Sequence, residues 1–174
     1  ISDEGLHPKN VGAFSFDGEG TPTQNIQLVT NGILTQLLHS EATARKFGVK
    51  PTGHAGLGAK VSVSPDWLVV SKSESEMDKD ESLSIKNTIK EYILIDELSA
   101  IHSGVKASQG SFSLPFDGWI VNDGKKTSIE AATVAGDILK VLSSIVKIED
   151  EQIVTHQGIS PHVWVENVSI TGEA

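Results

Sequence analysis

The stretch QGSFSLPFDGWIVNDGKKTSI (109–129) decides how the chain is read. Its first part alternates small polar and bulky apolar residues, the period-two pattern of a strand with one buried face. Asn122-Asp123-Gly124 then interrupts the pattern, and KTSI (126–129) resumes it. A glycine in that turn tolerates the positive φ that a tight hairpin demands, so two antiparallel strands are predicted here. The same logic applies at IQLVT (26–30) and ILTQLL (33–38), which flank Asn31-Gly32 and predict another hairpin.

Helical signals fall between and after these hairpins. In HSEATARKFG (39–48), Ser40 is placed to cap, Glu41 lies in the first turn, Arg45 and Lys46 in the last, and Gly48 just beyond. A short helix follows from that order. In SLSIKNTIKEY, Leu83, Ile85, Ile89 and Tyr92 recur at helical spacing before the apolar YILIDEL (92–98), giving a helix and then a strand. The longest helix is expected after the 109–129 hairpin. Thr127 and Glu130 stand three apart as in a capping box, and Ile138, Leu139, Leu142, Ile145 and Val146 form a stripe that should lie on a sheet. Gly136 either begins that helix or permits a close backbone approach.

The opening ISDEGLHPKN reads as a loop, KPTGHAGLGAK (50–60) as a glycine-punctuated connector, and SKSESEMDKDES (71–82) as a solvated loop. VSVSPDWLVVS (61–71) has strand character, with Pro65 marking an edge or bulge, and HVWVENVSIT (162–171) is expected as a closing strand. The fold class is therefore α+β, mainly antiparallel β-sheet with hairpins and a few packed helices. At 174 residues one core is expected to serve the whole of 1–174. The start at Ile1, in loop-like sequence, reads as a fragment whose N-terminal part is missing.

Composition narrows the function classes. Aromatics are 5% of the chain, so the core should be aliphatic and sheet-based. A net charge of -9 without a basic face removes the counterion-release term that drives nucleic-acid binding. The absence of cysteine excludes disulfides, thiolate nucleophiles and cysteine-containing zinc sites, and fits a cytoplasmic setting. No apolar run reaches the ~20 residues of a membrane span, so no membrane association is expected.

FDGEGTPTQ (16–24) falls short of a cation loop, because only Asp17 and Glu19 supply carboxylates before the acids stop. Gly53 and Gly58 have the gap of a phosphate loop, yet Ala59 precedes Lys60 and Val61 stands where a hydroxyl residue belongs. Six histidines are present and none is followed by glutamate, so H-E-x-x-H cannot form. A site assembled from distant histidines stays open, with His102 as its first candidate. His102 stands out because a strand runs there into a Gly- and Ser-rich loop. G-x-S-x-G is absent.

The ordered segments FSFDGEGTPTQNIQLVTNGIL, HSEATARKFGVKPTGHAG, QGSFSLPFDGWIVNDGK, TVAGDILKVLSSI and SPHVWVENVSITG together resemble the C-terminal portion of the TldD/PmbA (TldD/TldE) family. The resemblance runs from about residue 10 to the end and rests on order and spacing. It implies that Gly18 and Gly20 shape a structural loop leading into the first strand pair, with Asp17 and Glu19 making turn or capping hydrogen bonds. It also implies a two-subunit metallopeptidase that degrades or trims unfolded peptides, peptide-antibiotic maturation included. An older family label is modulator of DNA gyrase, which the charge of this chain does not support as DNA contact.

In that family only the TldD-type subunit carries the zinc motif H-E-x-x-x-H, completed by a cysteine near the C-terminus. The segment EQIVTHQGISPHVWVENVSITG holds no cysteine, so the resemblance implies a TldE/PmbA-type, non-catalytic subunit. No cofactor is then expected in this fragment, and zinc is expected in a TldD-type partner, the two forming a heterodimer. His156 or His162 standing in for the cysteine is the exception. Ser111, Phe112 and Ser113 are the candidate sheet edge for peptide or partner addition. The alternatives are a catalytic TldD-like protein whose metal motif lies upstream, and a stand-alone protein-interaction module.

Overall fold

The structure, a computed structural model, describes residues 1–72 and 89–173. The chain forms two compact units, one from Ile1–Asp78 and Glu149–His162, the other from Lys79–Ile148 and Val163–Ala174. The described elements are β1 (Ser2–Glu4), β2 (Asn25–Gln27), β3 (Val29–Thr30), β4 (Ile33–Leu34), α1 (Glu41–Phe47), β5 (Ala55–Gly56), β6 (Ser62–Val63) and β7 (Leu68–Val69). After the second described stretch begins come β8 (Glu91–Leu98), α2 (Ile101–Gly104), β9 (Val105–Lys106), a 3₁₀ turn (Ala107–Gln109), β10 (Ser111–Asn122) and β11 (Lys125–Asp137). The chain finishes with α3 (Ile138–Ser143), β12 (Ile145–Val154), β13 (Gly158–Val165) and β14 (Ser169–Glu173).

The architecture is α+β, dominated by antiparallel strands, with three short helices among the described residues. None of the described helices is long and apolar enough to cross a membrane. One five-stranded sheet has the order β12-β13-β7-β1-β2, with β7 and β13 parallel. The other places β10 between β11 and β8, with β14 outside β11 and β9 pairing the start of β10. Its core is Leu114, Phe116, Ile129, Ala132 and Val134, with Phe112, Ile95 and Ile170 against it.

Both predicted hairpins are present. Asp123 and Gly124 take φ of 46° and 81°, and Asn31 and Gly32 take 51° and 77°. Two successive positive-φ residues make the primed turn that matches strand twist. The first hairpin is shorter than the sequence suggested, pairing only Val29–Thr30 with Ile33–Leu34. Helix α1 follows its signals closely. Ser40 caps it, the Ser40 hydroxyl accepting from Thr43 N while Thr43 Oγ1 accepts from Ser40 N, and Gly48 closes it at φ 68°.

Three expectations are corrected. Residues 127–137 are strand, because Thr127, Ile129, Thr133 and Val134 pair along β10 while Ile129, Ala132 and Val134 pack in its core, and that pairing overrides the local capping-box signal. The helix begins only at Ile138, capped by Asp137, whose Oδ1 accepts from Leu139 N and Lys140 N. Ile145 and Val146 already belong to β12, and the stripe stays exposed: Ile138, Leu139 and Leu142 keep 45%, 71% and 48% of their surface. Gly136 lies in β11 opposite Phe112 and lets that ring approach to 3.3 Å of where a Cβ would sit.

The closing strand is divided. Asn167, at φ 57°, breaks it into β13 and β14, which join different sheets. The opening also differs, since Ser2–Glu4 is a strand. Pro65 lies between β6 and β7, and β8 covers the expected 92–98 strand. The helix expected around Leu83 and Ile85 falls outside the described residues.

Two glycines of the main hairpin separate sterics from conformation. At Gly118 the register of β10 shifts against both neighbours, and a Cβ would lie 2.1 Å from the Leu94 carbonyl oxygen. At Gly124 nothing lies within 4 Å and only φ of +81° resists a side chain. Gly118→Ala should therefore destabilise by about 2–3 kcal/mol, because β8 must move away. Gly124→Ala should cost only about 1–2 kcal/mol, the left-handed penalty alone. Denaturant unfolding of the two variants checks the order.

Candidate functional site

The loop between β1 and β2 of the first unit is built around two carboxylates. Asp17 Oδ1 accepts from Glu19 N and Thr21 N, both at 2.9 Å, and its Oδ2 accepts from Ala55 N at 3.0 Å. Gly18 N donates to Ala55 O at 2.7 Å, and a Cβ on Gly18 would meet that oxygen at 2.8 Å. Gly20 turns the loop at φ 82°. Glu19 reaches the N-terminus of α1, its Oε2 accepting from Glu41 N at 2.8 Å. A carboxylate there is favoured by the free N–H groups of the first helical turn. These bonds fasten 17–21 to 55 and to α1.

A cleft of about 440 Å³ opens beside this loop, walled by Leu34, Leu37, His39, Val49, Lys50 and Thr52. Its polar groups are partly committed already. Thr52 Oγ1 accepts from His39 N at 2.8 Å, and His39 Nδ1 lies 3.3 Å from Thr43 Oγ1. The cleft thus offers an apolar wall with one cationic side chain, Lys50, at its margin.

Behind the cleft lies a buried charged pair. Asp3 on β1 has no exposed surface and His54 retains 2%. Asp3 Oδ2 accepts from Asp66 N at 2.9 Å and Oδ1 from Trp67 N at 3.0 Å, which fixes β1 against the residues leading into β7. His54 Nε2 stands 3.5 Å from Asp3 Oδ2, and its Nδ1 is 3.1 Å from Thr52 Oγ1. The first of these is an ion-pair distance and long for a hydrogen bond. Burial alone would push Asp3 toward its neutral form, but His54 and the two backbone N–H groups outweigh it and hold the carboxyl below its ordinary range. Burial likewise opposes charge on His54, and the Asp3 carboxylate outweighs it, so the imidazole holds its proton above the ordinary value. Trp67 is buried beside the pair, with His7 stacked on its indole at 6.2 Å.

Sequence reasoning missed this pair. In the sequence Asp3 stands in a loop-like stretch and His54 is one histidine among six. No local pattern links positions so far apart, and only the placement of β1 between β2 and β7 brings them together.

The other expected site residues are dispersed. Ser111 and Phe112 pair with Asp137 and Gly136 of β11 on one side and with Lys106 and Val105 of β9 on the other. Ser113 pairs with Ala135, and its carbonyl oxygen would lie 2.4 Å from a Cβ on Gly104 of α2. The 111–113 segment is therefore covered on both sides and is not an open edge. Proline there would break the sheet and report on folding before it reported on binding. His102 is exposed on α2, His156 is exposed between β12 and β13, and His162 is partly buried on β13. Among the described residues, no three of His, Asp and Glu lie close enough to hold a metal ion.

Asp17 offers the sharpest test of the loop. Asp17→Ala should lower the unfolding free energy by roughly 2–3 kcal/mol, since three partly buried N–H groups lose an ionic acceptor. Asp17→Asn, which keeps one oxygen, should cost less. Chemical denaturation followed by far-UV circular dichroism measures both.

Comparison with known proteins places this arrangement. Residues 1–172 match the PmbA/TldA metallopeptidase C-terminal domain. The metalloprotease PmbA of Escherichia coli O157:H7 is 30% identical over 152 residues, which are 83% of this chain and 30% of that protein. A candidate modulator of a DNA gyrase from Thermotoga maritima MSB8 superposes with a TM-score of 0.79 at 31% identity, over 98% of this chain and 38% of that one. TldE from Thermococcus kodakarensis shares the fold at a TM-score of 0.74 and 21% identity, over 98% and 39% of the two chains. The chain spans about a third of the length of the curated relatives it matches. With a match over nearly its whole length and the same fold in solved structures, the chain belongs to the PmbA/TldD metallopeptidase family, as its C-terminal domain.

Proposed function

We propose that this domain belongs to a TldE/PmbA-type subunit that does not itself hold zinc and that acts beside a TldD-type catalytic partner on unfolded or precursor peptides in the cytoplasm. The observation that carries the reading is the complete absence of cysteine from 174 residues, the C-terminal segment included. A catalytic zinc takes three protein ligands and leaves a fourth position for water or substrate. The described residues do not fit such an ion, since no three ligating side chains converge among them.

Within this reading the domain's contribution is shape and main-chain hydrogen bonding. An extended peptide that adds to a sheet edge gains affinity from backbone groups, with little demand on its sequence. An edge for this purpose has a neighbour on one side only. Among the described residues β8 qualifies, pairing with β10 alone over Glu91–Leu98. Its acidic residues Glu91, Asp96 and Glu97 discourage self-pairing between copies while leaving the backbone open to a basic or neutral peptide.

Elemental analysis of the full-length protein, alone and after assembly with a TldD-type chain, tests the assignment. Zinc and peptide cleavage are expected only in the assembled sample. Stoichiometric zinc in the protein alone would overturn the reading and place the metal in this subunit.

A further inference from the structure

The Asp3–His54 contact joins β1 to the stretch that walls the cleft, with both side chains buried. Asp3 pairs with Ile26 of β2 and Leu68 of β7, so β1 is the central link of β7-β1-β2. His54 ends the stretch whose Val49, Lys50, Pro51 and Thr52 wall the cleft. We propose that Asp3 and His54 form a proton-dependent latch between β1 and the cleft wall, closed while His54 carries its proton and loosened when the proton leaves.

The hydrogen-bond inventory supports two states of this latch. With both ring nitrogens protonated, Nε2–H faces the Asp3 carboxylate and Nδ1–H donates to Thr52 Oγ1, while the Thr52 hydroxyl donates to His39 O at 3.2 Å. With one proton gone, Nδ1 becomes an acceptor and the Thr52 hydroxyl turns away from His39 toward it. His39 O keeps its bond from Thr52 N at 3.0 Å, so the hydroxyl is free to turn. What is lost is the positive charge opposite a carboxylate with no exposed surface.

The charges around His54 all favour the closed state. Asp3 faces it from β1, Asp66 from the residues before β7, and Asp17 holds the backbone of Ala55 next along the chain. Thr52 contributes a dipole and His7 stacks on the neighbouring Trp67. Because the imidazole is raised above its ordinary 6.5, its contribution is complete below that value and fades as pH rises through the folded one. Because Asp3 is lowered below its ordinary 3.8, its contribution is complete above that value and fades only in stronger acid. The latch is therefore closed below the ordinary imidazole value and opens as pH rises through the raised folded one.

Hydrogen exchange read by mass spectrometry on the full-length chain, corrected for intrinsic rates, tests this between about pH 6 and pH 9. Protection of peptides covering 1–5 and 64–69 should fall roughly threefold or more as pH rises. Peptides of the β10–β11 hairpin should hold theirs. In His54→Gln the dependence should vanish. If that variant fails to fold, Asp66→Asn serves, since it leaves the His54 bonds intact and removes a facing charge. It should move the midpoint down by roughly a few tenths of a pH unit, the screened effect of an exposed carboxylate. Constant protection in the native chain, dependence that survives in His54→Gln, or an unmoved midpoint in Asp66→Asn would each overturn the latch.

Discussion

Strand β10 carries hydrogen-bonded neighbours on both sides along most of its twelve residues, and the second unit is organised around that fact. Leu114 and Phe116 can be buried because β11 and then β14 extend the sheet beyond them. The register is held by the Asp123-Gly124 turn at one end, and the shift at Gly118 sets how β8 and β11 meet the strand midway. A one-residue slip would send every inward side chain to solvent, so turn and bulge jointly specify which face is core.

What could be read from the sequence followed how local the signal was. The turns at Asn31-Gly32 and Asp123-Gly124 and the caps of α1 are properties of adjacent residues, and they appear where they were expected. The stretch 127–137 failed because Thr127 and Glu130 mimic a helix start, whereas its fate is decided by β10 on one side and β14 on the other. Asn167 divided a strand that alternates well, since nothing nearby shows that its halves join different sheets. The Asp3–His54 pair lay furthest from reach, being visible only after β1 is known to be central.

The function rests on two kinds of observation. Membership of the family follows from the match across residues 1–172 and the shared fold. The proposal of a zinc-free subunit type rests on one missing residue class, which bears on ligand chemistry and leaves the fold untouched. Asp17 and Glu19 show the same distinction at small scale. Their carboxylates resemble cation ligands in the sequence, yet in the structure they receive backbone N–H groups from Glu19, Thr21, Ala55 and Glu41.

The first unit is discontinuous, closing only when Glu149–His162 joins Ile1–Asp78, and its parallel contact runs from Leu68 to Gly158. Contacts of such long sequence separation form late, because the loop between them must close first. During synthesis the β10–β11 hairpin can assemble as soon as it emerges, while β7 waits for a strand near the end of the chain. Until residues 158–159 have been made, β7 can pair with β1 alone, and its open side is an unpaired strand edge that invites aggregation.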